Sequence, residues 1–270
     1  MATAATPATG IPATGTRGRF VWHELMTPDP AAAEAFYKEV IGWGTVRSDM
    51  PGMEYTMWTA GERPIGGLMK TTPDAAAMGA PPSWLAYVEV PDADATVGQV
   101  QKLGGKVIVP IQAVDQVGRF AILQDPQGAV FAVITSANPM GEETDPAPRE
   151  FSWHELGTSD LGLAISFYEQ IFGWKKQSEF DMGPDMGVYH MFGRDRFTYG
   201  GMMKKPAEVP MSYWLHYAYV ADSADAAAER ATKAGGKIMV GPMEVPGGDR
   251  VAILNDPQGA WFAVHSKAAK

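Results

Sequence analysis

The stretch Phe20-Val21-Trp22-His23-Glu24-Leu25 returns as Phe151-Ser152-Trp153-His154-Glu155-Leu156. A histidine beside a carboxylate is the raw material of a metal site or of an acid–base pair. Neighbours on an extended strand project to opposite faces, so Trp22 shares a face with Glu24 and His23 shares one with Leu25. His23 and Glu24 then cannot grip one ion together, and the helical H-E-x-x-H spacing is absent. The expectation for His23 and His154 is a buried imidazole hydrogen-bonded to backbone or to a side chain. Glu24 and Glu155 are expected beside indoles, where desolvation raises a carboxyl pKa and suits it to proton transfer. The competing reading pairs each with an arginine, Arg119 or Arg250. Tyr55 and Tyr189 stand in matching stretches, Tyr55-Thr56-Met57-Trp58 and Tyr189-His190-Met191-Phe192, and offer phenols to a ligand or to the core.

Composition narrows the classes of partner. The chain has 270 residues, 46% hydrophobic and 20% charged, with a net charge of −9 and no cysteine. That length suits two ordinary domains. No basic stripe exists to neutralise phosphates, so nucleic acid and anionic membranes are poor partners. Disulfides and thiolate metal sites are excluded. No apolar run approaches the roughly 20 residues of a membrane span, and a cytoplasmic setting is expected. Residues 1–18, rich in Ala, Thr, Pro and Gly, bury too little to order and lack the pattern of a secretory signal. Eight tryptophans and 16 methionines favour a flat, apolar or aromatic ligand over a sugar phosphate. Monomer and homo-oligomer are both compatible with this composition.

The chain is written twice. At a shift of 131 residues, Phe36-Tyr37 meets Phe167-Tyr168, Gly42-Trp43 meets Gly173-Trp174, and Asp125-Pro126-Gln127-Gly128-Ala129 meets Asp256-Pro257-Gln258-Gly259-Ala260. Residues 19–135 and 150–270 form the two copies, and the polar segment 136–149 joins them. In each copy a short strand leads to a helix capped by Asp29 or Asp160 and stopped by Gly42 or Gly173. Three strands follow, and the series repeats, with a second helix from about Asp92 to Leu103. Each copy thus holds two strand-helix-three-strand units, an α+β architecture.

This pattern, carried by Asp29…Phe36-Tyr37…Gly42-Trp43, by Gly118-Arg119…Asp125-Pro126-Gln127-Gly128-Ala129…Phe131 and by their second copies, resembles the vicinal oxygen chelate superfamily, also called the glyoxalase/bleomycin resistance/dioxygenase superfamily. The resemblance implies two tandem domains, each an open curved sheet whose cup holds the ligand. It also implies metal ligands at fixed places: the first strand of each unit and the last. Counted along this sequence those places hold Trp22 and Trp153, Leu85 and His216, Ala132 and Ala263, with glycine from Gly66-Gly67 and Gly200-Gly201 as the fourth. Only His216 could bind metal, so no metal ligand set is assigned and no cofactor is favoured, a divalent metal being the minor alternative.

The resulting expectation is a superfamily protein that binds, with or without conversion, a small apolar or aromatic molecule without the usual metal. Glu155, His216 and Glu24 are the candidate catalytic residues; Trp22, Trp153, Tyr55, Tyr189, Arg119 and Arg250 are the candidate ligand contacts. The rivals are a metal-dependent glyoxalase-type lyase or dioxygenase and a non-catalytic scaffold. Because Leu85 is matched with His216, only the second cup is expected to pair a carboxylate, Glu155, with an imidazole.

Overall fold

The computed structural model describes residues 16–48, 54–184 and 186–268. The first copy runs β1 (Phe20–Thr27), α1 (Pro30–Ile41), β2 (Gly44–Ser48), β3 (Tyr55–Ala60), β4 (Arg63–Lys70), α2 (Pro73–Ala77), β5 (Ser83–Glu89), α3 (Ala93–Lys102), β6 (Lys106–Val114), β7 (Gly118–Gln124) and β8 (Val130–Ser136). The second runs β9 (Phe151–Thr158), α4 (Leu161–Phe172), β10 (Lys175–Asp181), β11 (Val188–Arg194), β12 (Phe197–Lys204), β13 (Tyr213–Tyr219), α5 (Ala224–Lys233), β14 (Lys237–Glu244), β15 (Arg250–Asn255) and β16 (Trp261–Ser266). Each copy is one open eight-stranded sheet, ordered β2-β3-β4-β1-β5-β8-β7-β6 and β10-β11-β12-β9-β13-β16-β15-β14. The fold is α+β, two tandem domains of the predicted unit pairs.

Local chemistry explains the element ends. The Asp29 carboxylate accepts from the Ala32 amide, Pro30 occupies the first turn, and Gly42 closes α1 at φ 83°. The second copy repeats this with Asp160, Leu163 and Gly173 at φ 74°. Ala33, Phe36, Tyr37, Val40 and Ile41 form the buried stripe of α1, at the helical spacing read from sequence.

These stripes bury themselves across the domain boundary. α1 lies against α5 and near Phe262 of the second domain, and α4 lies against Phe131 of the first. The Tyr37 hydroxyl donates to Asp256 Oδ2 at 3.1 Å and accepts from Trp84 Nε1 at 2.9 Å. The counterpart is Tyr168 donating to Asp125 Oδ2 at 3.0 Å while accepting from Trp214 at 3.0 Å. Each aspartate also ties its own Asp-Pro-Gln-Gly turn, taking amides two and four residues on through Oδ1. Both repeated motifs, Phe-Tyr on the helix and the closing turn, are therefore halves of one inter-domain latch.

The expected disordered tail (1–18) and the expected linker (136–149) are both partly tied down. Residues 1–15 of the expected disordered tail lie outside the described residues, but Arg17 caps the carbonyls of Gln170 and Ile171, and the Gly18 amide donates to Glu89. In the joining segment, Glu143 is reached by Arg19, Arg194 and the Tyr199 hydroxyl. Trp43 Nε1 donates to the Arg149 carbonyl at 2.7 Å, as Trp174 Nε1 does to Gly18 at 2.6 Å.

Candidate functional site

Strand register sorts the candidate residues onto two faces. β1 pairs parallel with β4 and antiparallel with β5, placing Glu24 between Gly67 and Leu85, and Trp22 beside Tyr87. Tyr87 in turn sits beside Ala132 on β8. Trp22, Glu24, Leu85, Tyr87 and Ala132 thus share the cup face, while His23, Leu25 and Ala86 face the helices and the other domain. The second domain repeats the arrangement: Glu155 lies beside Gly201 and Leu215, and Trp153 beside Tyr217, itself beside Ala263.

In the first cup the Tyr55 hydroxyl donates to Glu24 Oε2 at 3.0 Å and the Tyr87 hydroxyl to Oε1 at 3.1 Å; Trp22 Nε1 donates to Tyr55 at 2.9 Å. In the second cup Tyr189 donates to Glu155 Oε2 at 3.0 Å and Tyr217 to the same oxygen at 3.2 Å, with Trp153 Nε1 donating to Tyr189 at 2.8 Å. Among the described residues no hydrogen bond reaches Glu155 Oε1. Burial pushes both carboxyl pKa values above the usual range, against the opposing pull of the phenol hydrogen bonds. Burial and the neighbouring carboxylate push Tyr87, Tyr189 and Tyr217 well above 10, so these phenols stay protonated and donate.

Two glycines make the network fit. A Cβ on Gly67 would stand 1.8 Å from the Tyr55 hydroxyl, and one on Gly201 would stand 2.0 Å from Tyr189 Cε1. Both tyrosines cross their sheet over the bare backbone to reach a glutamate two strands away. Gly157 likewise leaves room for the Tyr213 ring, whose atoms would lie 2.5 Å from an added Cβ.

Three expectations are corrected here. His216 does not share a cup with Glu155: it pairs with His154, on the opposite face of the sheet, and is 2% exposed. A fixed shift of 131 matched it with Leu85, but the segment before β5 differs in length between copies, and Trp84 meets Trp214 at a shift of 130. The counterpart of His216 is Ala86, and a one-residue slip reverses the face. The expected asymmetry of a Glu155–His216 pair therefore fails. Arg119 and Arg250 do not pair with the glutamates; they clasp Asp94 and Asp225 near the starts of α3 and α5. Tyr87, Tyr217 and Tyr213 join the cups without a signal in the repeated motifs, although Tyr87 and Tyr217 stand two residues beyond Leu85 and Leu215, the alternation that marks a shared face.

On the helix face, His23, His154 and His216 meet where the domains touch. Phe20 stacks on His154 with ring centres 3.6 Å apart, and Phe151 stacks on His23 at 3.8 Å, a twofold-like exchange between β1 and β9. His154 and His216 approach Nδ1 to Nδ1 at 3.2 Å, while the Nε2 atoms of His23 and His216 are buried without a hydrogen-bond partner among the described residues. Burial, the largest cause, holds all three imidazoles in the neutral form, His216 at a pKa of about 3. A cavity of about 360 Å³ opens beside them, lined by His23, His154, Arg19, Arg63, Glu143 and Glu150 among others.

The model of the Glyoxalase/Bleomycin resistance protein/Dioxygenase superfamily matches residues 19–133 and 151–264. The chain belongs to that superfamily. Among relatives of this superfamily protein, CFP32 of Mycobacterium tuberculosis, described as a candidate glyoxylase, is 33% identical over 246 residues, covering 90% of this chain and 92% of its own. The anthracycline biosynthesis protein DnrV of Streptomyces peucetius is 31% identical over 258 residues, 92% of each chain. Among solved structures, the Mn(II)-bound glyoxalase of Novosphingobium aromaticivorans shares the fold with a TM-score of 0.63 at 18% identity, covering 94% of this chain and 83% of its own. The 2,2',3-trihydroxybiphenyl 1,2-dioxygenase of Sphingomonas wittichii gives 0.65 at 12% identity, covering 93% and 91%.

The superfamily chelate does not fit the cups of this member. The row across β1, β5 and β8 holds Trp22, Tyr87 and Ala132 in one cup and Trp153, Tyr217 and Ala263 in the other. Both phenols are committed to a glutamate, and the glycine places are overlaid by Tyr55 and Tyr189. One carboxylate per cup remains, against the three or four donors a divalent ion needs.

Proposed function

We propose that this superfamily member binds a small aromatic or apolar molecule carrying a hydroxyl or another acidic hydrogen, and that the second cup holds it through Glu155 without a metal in the cup. One observation carries the reading. Both phenols converge on Glu155 Oε2, and Oε1 takes no hydrogen bond from the described residues, whereas Glu24 has both oxygens engaged. Trp153, Tyr189, Tyr213 and Tyr217 supply the aromatic wall that would stack a flat ligand.

A carboxylate with a raised pKa, held by protonated phenols, accepts a hydrogen bond from a ligand hydroxyl or takes its proton as a general base. The phenols and the indole behind them keep the carboxylate in one position while charge changes. Kinship with DnrV, an anthracycline biosynthesis protein, supports an aromatic ligand. The first cup would serve as a second, weaker site or as a structural partner.

The test is calorimetric titration with a panel of small hydroxylated aromatics, using metal-stripped wild-type protein, Glu155→Gln and Glu24→Gln. The expected result is binding that Glu155→Gln weakens at least 10-fold and Glu24→Gln leaves nearly unchanged. Binding that appears only after a divalent metal is returned, or that is indifferent to Glu155→Gln, would overturn the reading.

A further inference from the structure

We infer that His23, His154 and His216 form a transition-metal site at the seam between the two domains, outside both cups. The three ring centres form a nearly equilateral triangle, with separations of 5.0, 5.3 and 5.3 Å. Imidazoles bound to one tetrahedral ion through bonds of about 2.05 Å place their ring centres about 5.2 Å apart. One ligand nitrogen from each ring already lies within 4.8 Å of the others. Between His154 and His216 the fit is closer: nitrogens 3.2 Å apart on bonds of that length subtend about 103° at the ion, near the tetrahedral angle. Closing the third nitrogen onto the same point takes a movement of the His23 side chain, whose ligand nitrogen lies within 4.8 Å of the other two.

Ring orientation allows this convergence. Phe20 stacks 3.6 Å over His154 but is 6.4 Å from His23, while His23 and His154 are within 13° of parallel. Those distances set His23 beside His154 rather than above it, so the two can aim nitrogens at a common point in their shared plane. The phenylalanines cover the outer faces of the rings and fix their planes, as packing does for the ligands of a preorganised site.

The second observation is the unmet hydrogen-bonding capacity. If His216 Nδ1 donates to His154, its Nε2 is a buried acceptor without a donor; if it accepts, its Nε2 carries a buried proton without an acceptor. His23 Nε2 is also buried and unpartnered. Buried polar atoms rarely go unpaired, because each costs free energy. An ion bound by Nδ1 of His154 and His216 and by Nε2 of His23 gives the buried orphan of His23 a partner, while the buried Nε2 of His216 stays without one. Three imidazoles select a borderline divalent ion, Zn²⁺ first, with Co²⁺, Ni²⁺ and Cu²⁺ as alternatives. His23 and His154 also line the adjoining cavity, whose wall carries Glu143 and Glu150.

The site takes one ligand from β1 and two from β9 and β13, so the ion would bridge the domains. Since Ala86 occupies the position equivalent to His216, alanine fits that point of the fold.

The test uses untagged full-length protein, stripped with chelator, then dialysed against Zn²⁺ or Co²⁺ and analysed for bound metal. One ion per chain is expected, with visible d–d bands of tetrahedral Co²⁺. Zn²⁺ at 100 times its Kd should raise the melting temperature by about 5–10 °C. His216→Ala and His23→Ala should each abolish the bands and lower metal affinity at least 100-fold, while titration of the cup with hydroxylated aromatics stays at wild type in His216→Ala. No stoichiometric metal in folded wild-type protein, or metal that survives both substitutions, would overturn the site. Metal lost on Glu155→Gln but kept in His216→Ala would place the ion in the cup and overturn the metal-free cup as well.

Discussion

Gly201 provides the sharpest perturbation of the cup. Replacing it with alanine puts a Cβ 2.0 Å from Cε1 and 2.1 Å from Cζ of Tyr189, where no Cβ can stand. The obstacle is a ring, not the tip of a flexible chain, so Tyr189 must leave the sheet surface. Overpacking of this kind costs about 1–3 kcal/mol. Loss of a hydrogen bond to a charged group, here Glu155, adds about 1.5–3 kcal/mol. Alanine in a strand recovers about 0.5–1 kcal/mol relative to glycine. The net expectation is a destabilisation of about 2–5 kcal/mol, or a melting temperature lower by about 5–15 °C. Urea denaturation of wild type, Gly201→Ala, Tyr189→Ala and the double variant forms the decisive cycle. With the ring removed the three atoms nearest the added methyl are gone, so Gly201→Ala should cost under about 1 kcal/mol in the Tyr189→Ala background. Equal costs in both backgrounds would refute the claim that the glycine exists to let the tyrosine cross.

Further outcomes follow from the latch and the charged groups. Tyr37→Phe strands the Asp256 carboxylate oxygen and the Trp84 indole nitrogen, and should cost about 2–4 kcal/mol; a loss below about 0.5 kcal/mol in urea denaturation would contradict the latch. Burial raises the Asp125 pKa above its usual 3.8, so its contribution to stability is fully present below 3.8 and is lost as pH rises through the raised folded value. Stability of wild type relative to Asp125→Asn should accordingly improve as pH falls from 7 towards 4, and a flat or opposite trend would refute the assignment. Arg119→Ala breaks only an exposed pair with Asp94; melting temperature and ligand titration should match wild type, and weakened binding would restore Arg119 as a ligand contact.

Much of the scaffold was legible because its signals are local. Asp29 and Asp160 as helix caps, Gly42 and Gly173 as stops, and the apolar stripe of α1 each depend on a few adjacent residues. The same holds for the face assignment of Trp22 and Glu24, which period-two alternation settles. What failed depended on counting across a gap: one residue fewer before β5 sent His216 to the wrong face, since registry errors in strands do not average out. Partners from distant strands were also illegible. Nothing near Glu24 announces Tyr87, 63 residues away, and nothing near Tyr37 announces Asp256 in the other copy, 219 residues away. The histidine cluster was hidden for the same reason. The sequence places His23 and His154 on separate copies of one strand, and only the meeting of β1 with β9 makes them neighbours.

The exchanged latch has a consequence for how this protein holds together as an assembly. Tyr37 with Asp256 and Tyr168 with Asp125 are the reciprocal contacts of an isologous interface, in which each half offers the same patch to the other. The peptide connection through 136–149 raises the effective concentration of one half near the other, and its Glu143 and Arg149 contacts add to the latches that specify how they meet. A chain cut within that segment keeps both reciprocal latches, Tyr37 with Asp256 and Tyr168 with Asp125, through which two fragments can reassemble. A single half, left alone, presents the uncovered face of α1 or α4 and has reason to seek a second copy of itself.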